Sequence, residues 1–163
     1  VDLRGNPGGF VTTAQKIASQ FIASGVLFWQ EDASGSMSET DALPGGAATD
    51  PGVRLVVLID GGSASASEIV AASLHDRGRA TLVGEKSFGK GTVQQWLPLE
   101  ADHGGFRLTI AKWLTPKQVW IHGKGIQPDI VVQASDPATG KDAILDKALE
   151  ILDVTASTNR LAA

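Results

Sequence analysis

The stretch VVLIDGGSASASE, at residues 56–68, decides the fold. Its first four residues are apolar and predict a buried strand, the glycines predict a turn, and a helical pattern begins after the small residues. A turn of this kind places one side chain beside the free N–H groups at the start of a helix. A serine in the turn is therefore a candidate nucleophile.

Three serines, Ser63, Ser65 and Ser67, alternate with alanines in this turn. Any of them can cap the helix without a catalytic role. Alternatively, the small neighbours let one serine stand on a sharp strand-to-helix turn while the helix N-terminus binds an oxyanion. The residues do not form the G-x-S-x-G motif, so their spacing does not select one serine.

A catalytic serine needs a base, and the sequence offers a lysine or a histidine. Lys90 lies between two glycines, where a solvated turn lysine is the ordinary explanation. If the turn folds inward, desolvation lowers the pKa of the lysine, which can then accept the serine proton, and Gln94 on the same face can orient the amine. A Ser-His-Asp triad with His103 or His122 stays open at this point.

The flanking sequence alternates helices and strands. Apolar residues at helical spacing predict helices over residues 10–24, after Ser67, and from Pro137 or Lys141 to Asp153. Apolar runs predict strands at 26–29, 53–59 and 80–83, made parallel by βαβ crossovers. Antiparallel or edge strands should follow at 92–99, 105–113 and 118–122, with a turn at Asp102-His103-Gly104 between the first two, and a further short strand at 130–132. The predicted class is α/β.

Length and composition restrict the kind of protein. The 163 residues with 42% hydrophobic content predict one globular domain over residues 1–153, with a mobile surface loop at 30–52 and a polar tail at 154–163. Because the 14 basic residues are scattered among 18 acidic ones, giving a net charge of −4, nucleic acid is not expected as a partner. Cysteine is absent and no histidine pair has metal-ligand spacing, so we expect neither a metal nor another cofactor. No apolar stretch approaches the roughly 20 residues of a membrane span, so we expect no such span in this chain.

Four motifs resemble the carboxyl-terminal processing (tail-specific) serine proteases. They are DLRGNPGG at residues 2–9, GSASASEI at 62–69, GEKSFGKGTVQ at 84–94 and GKGIQPD at 123–129. The resemblance covers about residues 1–132 and implies a ClpP/crotonase-like α/β core, in which βαβ units are followed by mostly antiparallel strands and a C-terminal helix. It implies Ser65 as nucleophile, Lys90 as general base, Gln94 as its supporting residue, and an oxyanion hole formed by the backbone N–H groups of Ala66 and of either Gly8 or Gly9.

The function implied by this resemblance is a serine endopeptidase that cleaves proteins near apolar C-terminal tails through an acyl-enzyme, in a periplasmic or other extracytoplasmic location. Alternatives are a non-catalytic binding protein of the same fold and a crotonase-like acyl-CoA enzyme. The chain starts at Val1 as if inside a strand and lacks the PDZ domain usual in the family, so we expect a catalytic-core fragment that is inactive alone. An unpaired sheet edge would favour weak stability or a homo-oligomer.

Asp60 departs from the asparagine frequent in relatives, which puts in doubt any hydrogen bond that needs an amide there.

Overall fold

The structure is a computed structural model that describes residues 1–100 and 103–160, and of Pro137 and residues 154–160 it describes the backbone only. In chain order the elements are α1 (Val11–Ala18), β1 (Val26–Asp32), β2 (Met37–Asp41), β3 (Val56–Ile59), α2 (Ala66–Asp76), β4 (Thr81–Gly84), β5 (Thr92–Pro98), β6 (Gly105–Leu114), β7 (Ile130–Val131), a short 3₁₀ helix (Pro137–Thr139) and α3 (Ala143–Arg160).

A small parallel sheet with the order β3-β4-β7 forms the centre of the molecule. All four residues of β3 are buried, as the continuous apolar run predicts for a strand covered on both faces. Val57 and Ile59 belong to the apolar cluster that includes helices α1 and α2, whereas Val56 and Leu58 pack in a second cluster with α3. The alternation of strand side chains therefore divides the core into two layers.

A second, antiparallel sheet has the order β2-β1-β6-β5. Leu27 and Phe28 of β1 and Trp113 of β6 are buried in the same cluster as α2, and they attach this sheet to the centre. The distal part of the β5–β6 hairpin projects from the molecule. Phe106 and Leu108 in this part are about half exposed.

The predicted α/β class and the parallel pairing of β3 with β4 are confirmed. The first predicted βαβ unit is wrong in its pairing, since the chain start bridges β3 through Asp2 and Leu58, while β1 joins the other sheet. Helix α1 therefore connects two sheets, which the local periodicity could not show.

Three further predictions need correction. The surface loop predicted for residues 30–52 includes the end of β1 and all of β2, a largely exposed edge strand whose polar sequence MSETD has no apolar alternation. Residues 118–122 are not a strand, because Thr115 N–H donates to the carbonyl of Val119 and the chain then turns at Ile121. The polar tail at 154–163 is helical as far as Arg160, since neither glycine nor proline interrupts α3 there.

Parts of the predictions lie outside the described residues. Ala101 and Asp102 of the turn between β5 and β6 are among them, as are residues 161–163. Within the described ranges, no helix is long and apolar enough to cross a membrane. The described side chains also include no group of three histidine, cysteine or acidic residues that could hold a metal ion.

Candidate active site

The serine turn, residues 60–66, connects β3 to α2 and has an unusual backbone at its end. Ser65 has φ 55° and ψ −116°, a conformation that a residue with a Cβ adopts only where its surroundings enforce it. Strained conformations of this type concentrate at active sites. The turn therefore has the geometry expected for a nucleophile on a sharp strand-to-helix connection.

The three serines of this turn lie in different environments. Ser63 is 1% exposed, and its hydroxyl donates to the carbonyl of Leu3 at 2.8 Å and accepts the N–H of Asp60 at 3.0 Å. Ser67 is also buried, at 4% exposure. Of the three, Ser65 lines the cleft that also contains Lys90 and Gln94, whereas Ser67 lines a separate, smaller pocket beside α1. Burial, which sequence spacing could not reveal, thus separates Ser65 from its neighbours.

Asp60 stabilises the turn through its side-chain oxygen rather than through a property that only a carboxylate has. Its Oδ1 atom accepts the N–H groups of Gly5 and Gly62, both at 2.9 Å. An asparagine carbonyl oxygen can accept the same two bonds. Aspartate and asparagine at position 60 are therefore both compatible with this turn.

The lysine turn, residues 87–91, follows β4 and faces the serine turn. Because β3 and β4 are parallel and adjacent, the segments that leave their C-terminal ends meet at one edge of the sheet. The carbonyl of Lys90 accepts the indole N–H of Trp113 at 2.8 Å, and that of Gly91 accepts the indole N–H of Trp120 at 2.9 Å. The backbone on both sides of the Lys90 side chain is thereby fixed.

The residues 123–129 form a second support beneath the lysine turn. Ser87 donates its N–H to the carbonyl of Ile126 at 3.1 Å, and Gly123 N–H donates to the carbonyl of Gly89 at 2.9 Å. A Cβ added to Gly89 would lie 2.7 Å from the backbone nitrogen of Gly125, and one added to Gly125 would meet the carbonyl oxygen of Ser87. These glycines permit a close backbone approach that a side chain would prevent.

Glu68 links the serine and lysine turns, and the sequence analysis did not identify it. Its carboxylate is 1% exposed and accepts four hydrogen bonds from the two turns. The donors are Ser65 N–H at 2.9 Å, Gly89 N–H at 2.7 Å, Lys90 N–H at 2.8 Å and the Ser87 hydroxyl. One buried carboxylate thus fixes the backbones of both Ser65 and Lys90.

Ser65, Lys90 and Gln94 line one cleft of about 610 Å³. Lys90 is half-buried, and its Nζ atom donates to Oε1 of Gln94 at 3.1 Å. Gln94 in turn donates to the hydroxyl of Thr109 on the neighbouring strand at 3.5 Å. Among the described residues, no hydrogen bond joins Lys90 Nζ to Ser65 Oγ. Catalytic hydrogen bonds often tighten only when substrate is bound.

The glycine turn, residues 5–9, forms the edge of the cleft beside Ser65. A Cβ on Gly8 would lie 2.6 Å from the carbonyl oxygen of Ala64 and 2.9 Å from Cβ of Ser65, and Gly8 has φ 99°. Its N–H donates to Oδ1 of Asn6 at 3.0 Å. Gly9 N–H has no hydrogen-bond acceptor within the described part of the chain, so the two amides differ in availability.

Arg4 anchors the glycine turn from behind. Its guanidinium forms ion pairs with Asp2 and Asp142, both at 2.7 Å. Hydrogen bonding by Arg4 lowers the pKa of Asp142 to about 2 and also lowers the pKa of Asp2. Both carboxyls therefore remain charged at neutral pH, and the ion pair with Asp142 attaches the turn to the start of α3.

None of the three histidines lines the cleft. His75 contacts Asp129 at 3.0 Å near the C-terminus of α2, and His103 is exposed near the hairpin. His122 stacks on Trp120 and accepts the N–H of Gly91 through Nδ1 at 3.3 Å. The arrangement gives no support to the Ser-His-Asp alternative.

Comparison with known proteins identifies the family. A sequence model of peptidase family S41 matches residues 1–132. The chain belongs to peptidase family S41. The S41 chain is 39% identical over 144 residues to the carboxy-terminal processing protease CtpB of Bacillus subtilis (strain 168), over 83% of this chain and 28% of the relative. It is 44% identical over 140 residues to the carboxy-terminal processing protease CtpA of the same organism, over 85% of this chain and 29% of the relative.

A solved structure agrees with these sequence relatives. The photosystem II D1 C-terminal processing protease superposes on the S41 chain with a TM-score of 0.71 and 35% identity, over 81% of this chain and 33% of that chain. The family resemblance and the α/β core that it implies are thus confirmed. The S41 chain spans less than a third of the length of the two bacterial relatives, at 28% and 29%.

Proposed function

We propose that this S41 chain carries the catalytic dyad of a serine endopeptidase, with Ser65 as nucleophile and Lys90 as general base. The observation that carries the proposal is the strained Ser65, at φ 55°, in the same cleft as the Lys90–Gln94 pair. A lysine amine held by an amide oxygen beside a serine is a suitable arrangement for activating the hydroxyl. Gln94 is a positioning residue that orients Nζ.

An oxyanion hole formed by the N–H groups of Ala66 and Gly9 accompanies the dyad in this proposal. Ala66 is the first residue of α2, where N–H groups have no partner within the helix and the helix dipole favours negative charge. Of the two glycines predicted for the second donor, Gly9 has the free amide, whereas Gly8 already donates to Asn6. Gly8 instead allows close packing against the serine turn.

The reaction proceeds in two halves. Ser65 Oγ forms a bond to the scissile carbonyl carbon while its proton moves to Lys90 Nζ, and the oxyanion is bound by the two amides. Lys90 then gives this proton to the leaving amine nitrogen as the C–N bond breaks, which leaves an acyl-enzyme. Water attacks the ester, Lys90 accepts a water proton and returns it to Ser65 Oγ, and the carboxylic acid product is released.

The proposed substrates are proteins or peptides with apolar residues near the C-terminus. Apolar side chains form much of the cleft lining, among them Phe10, Val11, Ile69, Trp96 and Trp113. The names of the relatives refer to carboxy-terminal processing. We extend this specificity, and an extracytoplasmic location, to the protein as part of the same proposal.

Ser65→Ala and Lys90→Ala test the dyad, and every variant and the wild type are assayed in the intact protein. Each variant should reduce kcat/KM for a peptide with an apolar C-terminus by at least about a thousandfold, because nucleophile and base act as a unit. A fluorophosphonate probe should label the wild type at Ser65 and leave Ser65→Ala unlabelled. Ser67→Ala is the matched control, because the Ser67 hydroxyl makes no hydrogen bond within the described part of the chain, and it should retain labelling. Wild-type turnover in either dyad variant would contradict the proposal, and a wild type that neither cleaves nor becomes labelled would favour the non-catalytic binding protein.

A further inference from the structure

Arg107 is a cationic side chain in the cleft to which the mechanism assigns no role. It lies on β6 directly opposite Trp96 of β5, and the next cross-strand pair on the same face toward the serine turn is Gln94 with Thr109. Side chains of opposed residues share a face of the sheet. Arg107 and Trp96 both line the cleft, in agreement with this register.

The position of Arg107 relative to the dyad follows from strand geometry. Thr109 accepts a hydrogen bond from Gln94, which holds Lys90. Two residues along a strand span about 7 Å, so Arg107 lies about that far beyond Thr109 toward the tip of the hairpin. An extended peptide that reaches Ser65 would therefore pass Arg107 about two to four residues from its scissile bond.

The charge of the cleft differs from that of the whole chain. Lys90 and Arg107 are the charged residues that line the cleft, and no carboxylate lines it within the described part of the chain. The chain as a whole carries a net charge of −4. The proposed general base Lys90 gains and loses a proton in each catalytic cycle, whereas a guanidinium keeps its charge at every working pH. Arg107 is then the permanent cation of the cleft.

Three other arginines, in contrast to Arg107, are occupied by structural contacts. Arg4 pairs with two carboxylates, Arg77 donates to the carbonyl of Ser24, and Arg79 donates to the carbonyls of Phe21 and Ala48. The guanidinium of Arg107 is exposed and has no hydrogen bond or ion pair with any described residue. Its five N–H donors are thus available to a ligand from the cleft side.

We infer that Arg107 is a specificity-determining residue that binds a carboxylate of the peptide substrate about two to four residues from the scissile bond. Guanidinium and carboxylate groups match in a planar, bidentate hydrogen-bonded pair. Such a carboxylate has two sources, an acidic side chain or the terminal carboxylate of a short C-terminal tail. The inference rests on the proposed function, because that function defines the position of the scissile bond.

Peptide binding to the Ser65→Ala protein tests the inference without dependence on turnover. Three fluorescein-labelled peptide types share one apolar sequence. The first type has an amidated C-terminus and a glutamate, which is placed in turn at each position two to four residues from the scissile bond. The second type has glutamine in place of glutamate and a free C-terminal carboxylate. The third type has glutamine and an amidated C-terminus, so it carries neither carboxylate. Fluorescence anisotropy should show that one carboxylate type binds about fivefold to tenfold tighter than the neutral peptide. The type that gains affinity identifies the source of the carboxylate.

Arg107→Gln in the same background should make the affinities of the three peptide types equal. Arg107→Glu should reverse the preference toward a peptide with lysine at the preferred position. Arg54→Gln is the matched control, because Arg54 is exposed and lies outside this cleft, and it should retain the preference. Circular dichroism confirms that each variant is folded.

Two outcomes would overturn the inference. One is equal affinity of the three peptide types for the Ser65→Ala protein in which Arg54 and Arg107 are unchanged. The other is a preference for a carboxylate peptide that persists in Arg107→Gln. Failure of the proposed function has a different signature. In that case Ser65→Ala would cleave peptides like the wild type, while the binding preference and its dependence on Arg107 would still be measurable.

Discussion

The serine and lysine turns on one side of the cleft are fixed by buried groups, whereas the β5–β6 hairpin on the other side is largely exposed. The first wall contains Ser65 and Lys90, whose backbone N–H groups both donate to the buried Glu68. The second wall contributes Gln94 and Arg107, whose side chains are exposed. The proposed reacting groups thus lie where buried hydrogen bonds fix the backbone, and the residues proposed to orient the base or recognise substrate lie on the exposed hairpin.

Glu68→Gln should weaken the first wall more than any other substitution. Glutamine replaces one of the two acceptor oxygens of the carboxylate by an NH₂ group that faces buried N–H donors. An unsatisfied buried donor costs about 1–3 kcal/mol, and we expect the free energy of unfolding to fall by roughly 2–4 kcal/mol. Urea denaturation measures this loss, and kcat/KM should fall by at least about a hundredfold in the folded variant.

The matched control for Glu68 is Glu150→Gln on α3. Glu150 is exposed and pairs only with Lys147 at 2.9 Å in the described part of the chain, so its loss should change the free energy of unfolding by less than about 0.5 kcal/mol. Similar effects of the two substitutions would show that the buried position of Glu68 is not what holds the turns.

Gly8→Ala tests the close contact between the glycine and serine turns within the same wall. The added Cβ would overlap the carbonyl oxygen of Ala64 and Cβ of Ser65, and φ 99° is unfavourable for alanine. We expect a loss of about 1–3 kcal/mol in the free energy of unfolding and slower fluorophosphonate labelling of Ser65. Gly61→Ala is the control, since its Cβ would meet no atom within 4 Å. Unchanged labelling in Gly8→Ala would separate the glycine turn from the chemistry.

Gln94→Ala, on the hairpin wall, should have the smallest effect on stability. Gln94 is exposed, so the free energy of unfolding should change by less than about 0.5 kcal/mol. Because Lys90 loses its acceptor, kcat should fall by roughly tenfold while KM changes little. Gln95→Ala, at the adjacent position whose side chain points to the other face of β5, is the control. A wild-type kcat in Gln94→Ala, or a change confined to KM, would exclude the positioning role.

The sequence predicted the first wall, with the serine and lysine turns, better than the second wall, with the β5–β6 hairpin. The apolar run at residues 56–59 and the pattern that follows were sufficient to predict β3, α2 and the parallel pairing with β4. The choice of Ser65 and Lys90 came from family motifs and stays a prediction, although the cleft brings both together. Periodicity reports burial along one element and does not reveal which turns meet.

Glu68 shows where local reasoning ends. The pattern Ser65-Ala66-Ser67-Glu68 has the spacing of a capping box, which could have indicated the contact from Ser65 N–H to the Glu68 carboxylate. The contacts to Gly89 and Lys90 join residues 21 and 22 positions apart, and no local pattern encodes them. Strand β2 was missed for a different reason, because an exposed edge strand needs no apolar alternation.

The parallel pairing of β3 with β4 also has a consequence for folding. Ser65 and Lys90 follow these two strands, so the distance between them is set only after α2 has crossed over and the strands have paired. The Glu68 carboxylate becomes buried when it forms hydrogen bonds to the two turns. These contacts therefore form together with the surrounding core. Cooperative units of this kind open together rather than residue by residue. The proposed active site should therefore form and be lost with the native state as a whole, and a partly folded chain would not have a complete cleft.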